Sequence, residues 1–345
     1  MVDNRVPKSN IEYKKEDFLS DQMVKWCPGC GSHFVLSAVA STFAQLGYKK
    51  ENVMLVSGIG CSSRFPYYVN TYGFHSIHGR PAAISTGIKV TRPDLSVWTV
   101  SGDGDSLAIG GNHFIHLIRR NVDLNLMLFN NQIYGLTKGQ FSPTSPMGVV
   151  TKTSPHGTIE RPFNVAQLVM GAQGNFYARV PDSNPKLIQE VLLQAENHRG
   201  ASIVEMLINC VIFNDKAFGF VTNKDTREDH QLILEDGKPM LFGKDKKKGL
   251  KLNHGHLEVV EIGVNGITEG DILVHNAGNP DPTIHLMLAQ LLPPDFPMIL
   301  GVIRCVETND SYDKLLNEQV EYAMANESIK CMDDLLNSGD VFEVK

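Results

Sequence analysis

Two short clusters carry residue types that can act on a phosphorylated ligand. Gly102-Asp103-Gly104 closes the apolar run Val97 to Val100, and Asn130-Asn131 closes a second run, Leu124 to Phe129. Between them Leu107, Ile109, Phe114, Leu117 and Ile118 have helical spacing, so the segment reads strand, helix, strand, with the helix over 106–120. A right-handed crossover returns both strands in one direction. That sets Asp103 and Asn131 side by side at the carboxyl edge of one sheet, where open α/β folds bind ligands. A carboxylate, an amide oxygen and a nearby carbonyl such as that of Ile133 are enough protein ligands for Mg²⁺, which completes its octahedron with substrate phosphates and water. Gly102 and Gly104 would let the backbone approach a diphosphate closely. The bland alternative is two loops of an ordinary nucleotide-type fold.

The chain has six cysteines, and four of them fall at turns or on strands of the expected core. Trp26-Cys27-Pro28-Gly29-Cys30-Gly31 is a tight Cys-x-x-Cys turn running into a helix-like segment, 34–46, that ends at Gly47. Sulfurs at a helix start sit where backbone N–H groups favour thiolate. Cys61 lies in the loop Gly58-Ile59-Gly60-Cys61-Ser62-Ser63-Arg64, which opens from a strand over 53–57, and Cys210 lies on a strand over 201–213. Four thiolates can hold a tetrahedral Zn²⁺ or a cubane iron–sulfur cluster. Spacing does not choose between them, although one local pair completed by two distant single residues leans toward the cluster. A lone cysteine on an apolar strand is most often a core residue, and Cys305 and Cys331 are read that way.

The elements that must position these residues follow in order. A polar arm over 1–25 precedes the Cys-x-x-Cys turn, and Phe74-His75-Ser76-Ile77-His78-Gly79-Arg80 precedes a small-residue helix near 82–90. After Asn131 come Ile133-Tyr134-Gly135-Leu136-Thr137-Lys138-Gly139-Gln140 and then a loop rich in Pro, Ser and Thr, to about Pro162. It is long for a bare connection, which points to a cover over a site or a partner contact. Helices over 163–171 and 185–197 and a strand over 176–180 complete a domain over 26–213, with 201–213 as its final core strand. Residues 214–345 turn charged and turn-rich. They read as an arm with a hairpin, strands over 257–262, 272–275 and 299–306, and helices over 283–292 and 312–325, a tail packing on the core or on a partner.

The chain has 345 residues, 42% hydrophobic and 20% charged, enough to bury a large α/β core. A net charge of -6 argues against nucleic acid or an anionic membrane as the main partner. The polar first residues form no signal peptide and no run is long enough to span a bilayer, so a cytoplasmic protein with free thiols or thiolate ligands is expected.

Taken together and in order, WCPGCG, GIGCSSR, FHSIHGR, GDGD with NN, and IYGLTKGQ resemble the β subunit of the 2-oxoacid:ferredoxin oxidoreductases, over about 26–213 and more loosely beyond. The resemblance implies a thiamine-diphosphate-binding fold, a mostly parallel sheet with helices on both faces, plus a C-terminal extension. It implies that Cys27, Cys30, Cys61 and Cys210 bind one 4Fe-4S cluster and that Asp103, Asn131 and the Ile133 carbonyl hold Mg²⁺. It also sets Gly60, Cys61, Ser62, Ser63, His78, Gly102, Gly104, Asp105, Gly135, Leu136 and Thr137 against thiamine diphosphate. The implied reaction converts a 2-oxoacid, coenzyme A and oxidised ferredoxin to an acyl-CoA, CO₂ and reduced ferredoxin, reversibly when ferredoxin is reducing enough.

Thiamine needs a carboxylate beside its aminopyrimidine, and no Glu of this chain stands at a matching position. In the family an α subunit supplies it, which implies an (αβ)2 assembly. His78, Arg64, Leu136 and Lys138 are the residues expected to act on substrate, with Arg64 and Lys138 receiving a carboxylate and Leu136 shaping the pocket. Their positive charge favours 2-oxoglutarate over pyruvate or a broad 2-oxoacid range, Arg being suited to a bidentate carboxylate contact. Two rivals remain at this stage: a non-redox thiamine decarboxylase or synthase with incidental cysteines, and a zinc-stabilised binding subunit with a vestigial thiamine fold.

Overall fold

The computed structural model describes residues 6–344, so the arm expected over 1–25 is seen from Val6 and residues 1–5 lie outside the described residues. From Val6 the arm lies along the body, with Phe18 fully buried edge-on against Phe43 and a bridge between Lys8 and Tyr48.

Strands covered on both faces need no polar side, and the apolar runs of this chain form the centre of such a sheet. In chain order the strands are β1 (Val53–Ser57), β2 (Tyr72–His75), β3 (Ser96–Gly102), β4 (Leu124–Asn130), β5 (Phe176–Pro181), β6 (Ala201–Leu207), β7 (Gln231–Ile233), β8 (Leu241–Phe242), β9 (Lys248–Asn253), β10 (His256–Glu261) and β11 (Met298–Cys305). An eight-stranded sheet has the order β2-β1-β3-β4-β6-β5-β11-β7, while β10-β9-β8 form a small antiparallel sheet. Every pairing from β2 across to β5 is parallel; β11 runs antiparallel to β5 and parallel to β7.

The connecting helices are α1 (Ser32–Leu46), α2 (Phe65–Tyr68), α3 (Pro81–Thr91), α4 (Asp103–Leu107), α5 (Gly111–Arg119), α6 (Val165–Gly171) and α7 (Pro185–Asn197). Alternate residues of the central strands divide between two cores. Trp98, Val100, Met127 and Phe129 pack with Val39 and Phe43 of α1 and Ile188 and Leu192 of α7. Val97, Leu126 and Leu128 pack instead with Phe114 and Leu117 of α5 and Val165 and Val169 of α6. The period of two thus puts helices on both faces. No helix of the described residues is long and apolar enough to cross a membrane.

Several elements differ from the sequence reading, each for a visible reason. The helix expected over 106–120 is two helices, broken between Leu107 and Gly111. At the break two backbones touch: a Cβ on Gly79 would lie 2.7 Å from the Gly110 nitrogen, and one on Gly110 would lie 2.4 Å from the Asp105 carbonyl. The strand expected over 201–213 stops at Leu207, because the Asn209 N–H turns to Asp182 Oδ2 (2.7 Å) and the chain folds back through a Cys210–Asn214 bridge. Cys210 therefore sits in a turn beyond β6. Nor is β6 the last strand of the main sheet, since β7 and β11 extend it past β5. Residues 272–275 form no strand, but they run beside the small sheet through a Pro239–Val274 bridge, the Leu273 N–H to Leu250 carbonyl bond and the Met240 N–H to Leu273 carbonyl bond. Tyr72–His75, not read as a strand, is β2 at the sheet edge.

Candidate active site

Because β1, β3, β4 and β6 are consecutive and parallel, their carboxyl ends open on one edge. The loops that follow them carry Cys61, Asp103, Asn131 and Cys210 respectively. The Cys27–Cys30 turn is pinned beside them: the Gly31 N–H donates to the Asn209 carbonyl (3.2 Å), and a Cβ on Gly31 would fall 1.8 Å from Asp182 Oδ2. Together these loops enclose a cleft of about 820 Å³.

Of the residues singled out from sequence, Cys27, Cys30, Gly60, Cys61, Ser62, Arg64, His78, Gly102, Asp103, Gly104, Asp105, Asn131, Ile133, Gly135, Leu136, Thr137 and Cys210 line this cleft. Ser63 and Lys138 do not. Ser63 is buried behind its loop, its carbonyl accepting from Ser57 Oγ (2.7 Å). Lys138 is exposed at φ 77°, a left-handed position in the tight turn that the Tyr134 N–H closes onto the Gln140 carbonyl (2.9 Å).

One end of the cleft is sulfur-rich. A Cβ on Gly135 would stand 3.5 Å from the Cys210 sulfur and 3.7 Å from that of Cys61, so only glycine leaves the space between them open. Burial, and then the charges of Cys30, Cys210 and Cys27, push the Cys61 thiol up to about 11 against the opposing pull of Arg64. Burial also raises Cys30, outweighing its bonds to Ser32, so the helix start does not make it the low-pKa thiol expected from sequence. Trp26 fixes the wall by donating its indole N–H to the Cys61 carbonyl (2.6 Å). Among the described residues no three or more His, Cys, Asp or Glu side chains approach closely enough to hold a single metal ion. Four thiols lining one cleft are a donor set that would fit a thiolate-ligated iron–sulfur cluster.

The same cleft also holds a buried carboxylate. Asp103 is 2% exposed, and burial drives its carboxyl above the usual range; the Ser142 and Thr144 hydroxyls and backbone N–H groups only partly offset this. Among the described residues no basic side chain pairs with it. A buried carboxylate surrounded by hydroxyls is a fitting ligand for a hard divalent cation. Asn131 also lines the cleft, its side-chain oxygen accepting from the Ile133 N–H (3.1 Å) and its carbonyl from Asn214 Nδ2 (3.0 Å). Gly102 leaves its side open, with Ser62 Oγ 3.5 Å from a hypothetical Cβ. At Gly104 the space is filled by Tyr134, whose ring would lie 2.2 Å from a Cβ and whose hydroxyl donates to the Gly104 carbonyl (2.9 Å).

Asp105 ties the cleft together from beneath. Its Oδ1 accepts from the N–H groups of Ile59 (3.2 Å) and Gly79 (2.7 Å) and lies 2.6 Å from Nδ1 of His78, while its Oδ2 accepts from Ser101 Oγ (2.6 Å). Gly58 is required alongside, since a Cβ there would meet Asp105 Oδ2 at 1.8 Å.

Sequence reasoning did not single out Ser142, Thr144, Tyr134 or Trp26 as parts of the site. It also missed a buried network in which Glu205 accepts from Arg179 Nε (2.7 Å), from Asn130 Nδ2 (2.7 Å) and from the Tyr177 hydroxyl. The available signals were charged residues, Arg179 and Glu205, inside apolar strands, and closely spaced hydroxyls, Ser142, Thr144 and Ser145, interleaved with Pro143 and Pro146.

Such a fold and cleft define a thiamine-diphosphate-binding α/β protein, and residues 58–206 match the family described as thiamine pyrophosphate enzyme, C-terminal TPP binding domain. The chain is 44% identical over 342 residues to 2-oxoglutarate oxidoreductase subunit KorB of Mycobacterium tuberculosis, covering 98% of this chain and 91% of that one. It is 43% identical over 196 residues to 2-oxoglutarate synthase subunit KorB of Archaeoglobus fulgidus, covering 56% and 73%. The solved 2-oxoglutarate:ferredoxin oxidoreductase from Magnetococcus marinus, with 2-oxoglutarate, coenzyme A and succinyl-CoA bound, superposes with a TM-score of 0.76 at 28% identity over 97% of this chain and 98% of that one. This chain belongs to the KorB family, the β subunits of the 2-oxoglutarate:ferredoxin oxidoreductases.

Proposed function

We propose that this chain, with an α subunit, oxidatively decarboxylates 2-oxoglutarate with coenzyme A to succinyl-CoA and CO₂, releasing a proton and passing two electrons singly to ferredoxin. One observation carries the reading: the four thiols and the Asp103 and Asn131 loops open into the same cleft. When bound, thiamine diphosphate supplies carbanion chemistry at the 2-oxo carbon, and a 4Fe-4S cluster accepts electrons one at a time.

The protein's own residues have distinct tasks. Asp103, the Asn131 side chain and the Ile133 carbonyl hold Mg²⁺, with Gly102, Gly104 and Gly60 to Ser62 against the cofactor. Cys27, Cys30, Cys61 and Cys210 hold the cluster. Asp105, 2.6 Å from Nδ1 of His78, fixes the orientation of the ring at the cleft wall. Arg64 brings a guanidinium to the cleft wall, where it is offered to a substrate carboxylate. Leu136 shapes the pocket beside it. The α subunit supplies the missing Glu, in an (αβ)2 assembly in the cytoplasm, with neither nucleic acid nor membrane as a partner.

The test is anaerobic purification with the α subunit, followed by iron, acid-labile sulfide and activity measurements. About four iron and four sulfide per chain, with acyl-CoA formed faster from 2-oxoglutarate than from pyruvate, is the expected result. Zinc, or magnesium alone, would overturn the redox mechanism and return the non-redox thiamine reading.

A further inference from the structure

Asp103 is gripped from behind by a turn that lies far along the chain. Its Oδ2 accepts from both the Ser142 hydroxyl (2.5 Å) and the Thr144 hydroxyl (2.6 Å). Both donors are buried, and so is Ser145. The same turn reaches the loop on the other side of the cleft. Thr144 Oγ1 also lies 2.9 Å from Asn130 Oδ1, and Ser145 Oγ donates to the Gln132 carbonyl (2.5 Å) while accepting from the Ser142 N–H (2.8 Å). Pro143 and Pro146 restrict the backbone around these hydroxyls. Four residues therefore join the loop after β3 to the loop after β4.

We infer that Ser142, Thr144 and Ser145 are positioning residues that set the spacing of Asp103 and Asn131 and reserve one Asp103 oxygen for the cation. The inference rests on the magnesium and thiamine diphosphate reading above. Both hydroxyl protons go to Oδ2, so Oδ1 has no side-chain donor among the described residues and is the oxygen left to a cation. Mg²⁺ requires near-ideal octahedral geometry at roughly 2.0–2.1 Å, so ligands on two separate loops must be held to a fixed spacing. A turn bonded to both loops does this where neither loop is bonded to the other by Asp103. Ordinary packing would also bury these residues, but it would not direct two hydroxyls to one carboxylate oxygen and a third to the facing loop.

Thiamine diphosphate binding to the αβ complex, titrated by calorimetry at a series of Mg²⁺ concentrations, tests this. In Thr144→Val and in Ser142→Ala the Mg²⁺ needed for half-maximal binding should rise about tenfold or more, from the loss of one charge-assisted bond, with iron content and α-subunit assembly unchanged. Thr144→Ser, which keeps the hydroxyl, should stay near wild type. Should Thr144→Val fail to assemble, Ser142→Ala carries the same expectation. A wild-type Mg²⁺ requirement in the hydroxyl-free variants, or equal weakening in Thr144→Ser and Thr144→Val, would overturn the positioning role and leave the functional reading intact. Wild-type complex that binds the cofactor without any need for Mg²⁺ would overturn both.

Discussion

Nδ1 of His78 lies 2.6 Å from Oδ1 of Asp105, on a carboxylate that also accepts from two backbone N–H groups and the Ser101 hydroxyl. Asp105 is thus an acceptor toward four donors, and an amide in its place would present an N–H to one of them. Asp105→Asn should leave a buried donor unsatisfied and cost about 1–3 kcal/mol of stability. It should also release the His78 ring and lower kcat by about 10²-fold or more. Thermal unfolding and steady-state rates of the αβ complex check this; an unchanged kcat would show that the orientation of His78 does not matter.

Arg64 and Lys138 entered as a pair of cations, and their surroundings separate them. Only Arg64 lines the cleft, with Nε buried and unpartnered. Arg64→Gln should raise KM for 2-oxoglutarate by about 10- to 100-fold, the value of a charge-assisted bond, with a smaller effect on pyruvate. Equal changes for both substrates would assign Arg64 to the diphosphate instead.

The cysteines divide as sharply. Cys61 and Cys210 flank Gly135 on the cleft wall, whereas Cys305 ends β11 on the far side of β5 from the cleft strands. Cys61→Ser and Cys210→Ser should each lower iron and sulfide per chain and remove the visible cluster absorbance. Cys305→Ser should match wild type in both.

Much of the site could be read from sequence because it lies in short loops directly after strands, where the hydrophobic pattern fixes position. Asp103 and Asn131 directly follow β3 and β4, and once those strands are parallel neighbours their loops must meet. The supports were hidden for the opposite reason. Ser142 and Thr144 reach Asp103 across some forty positions of irregular chain, and no periodicity marks which hydroxyl in such a loop is buried. The break between α4 and α5 was hidden because Gly79 and Gly110 make it by a tertiary contact, while the apolar spacing of 106–120 runs on unbroken. β11 was legible as a strand, yet its place beside β5 depends on a long-range antiparallel pairing that local pattern cannot specify.

Glu205 and Arg179 show how the sheet bears a buried ion pair under the cleft. Burial alone would raise the Glu205 carboxyl, but Arg179, Tyr177 and Asn130 together hold it below the usual range. Removing one partner strands the other: Arg179→Met should destabilise the chain by about 3–5 kcal/mol. The double variant Arg179→Met, Glu205→Met should recover part of that loss, a result chemical denaturation can read directly.

In the tail, Nδ1 of His285 lies 2.8 Å from Nη1 of Arg304, and Nε2 lies 3.0 Å from the Asn276 carbonyl. Arg304 has no acceptor role, so Nδ1 must be the unprotonated nitrogen and Nε2 the donor. Burial, and then the Arg304 charge, lower the pKa of His285 below the ordinary value of 6.5, with the Asn276 bond opposing. The unfolded chain then binds more protons than the folded one in the window beneath that value. Stability is full above it and falls as pH drops from there toward the depressed folded pKa. His285→Gln, whose side-chain oxygen can still accept from Arg304, removes that titration. The difference in unfolding free energy between wild type and His285→Gln should therefore shift against wild type as pH falls from 7.5 to 5.5, by no more than about 1.4 kcal/mol in that range. A pH-independent difference would mean that His285 titrates alike in the folded and unfolded chain, and that its contact with Arg304 does not persist in solution.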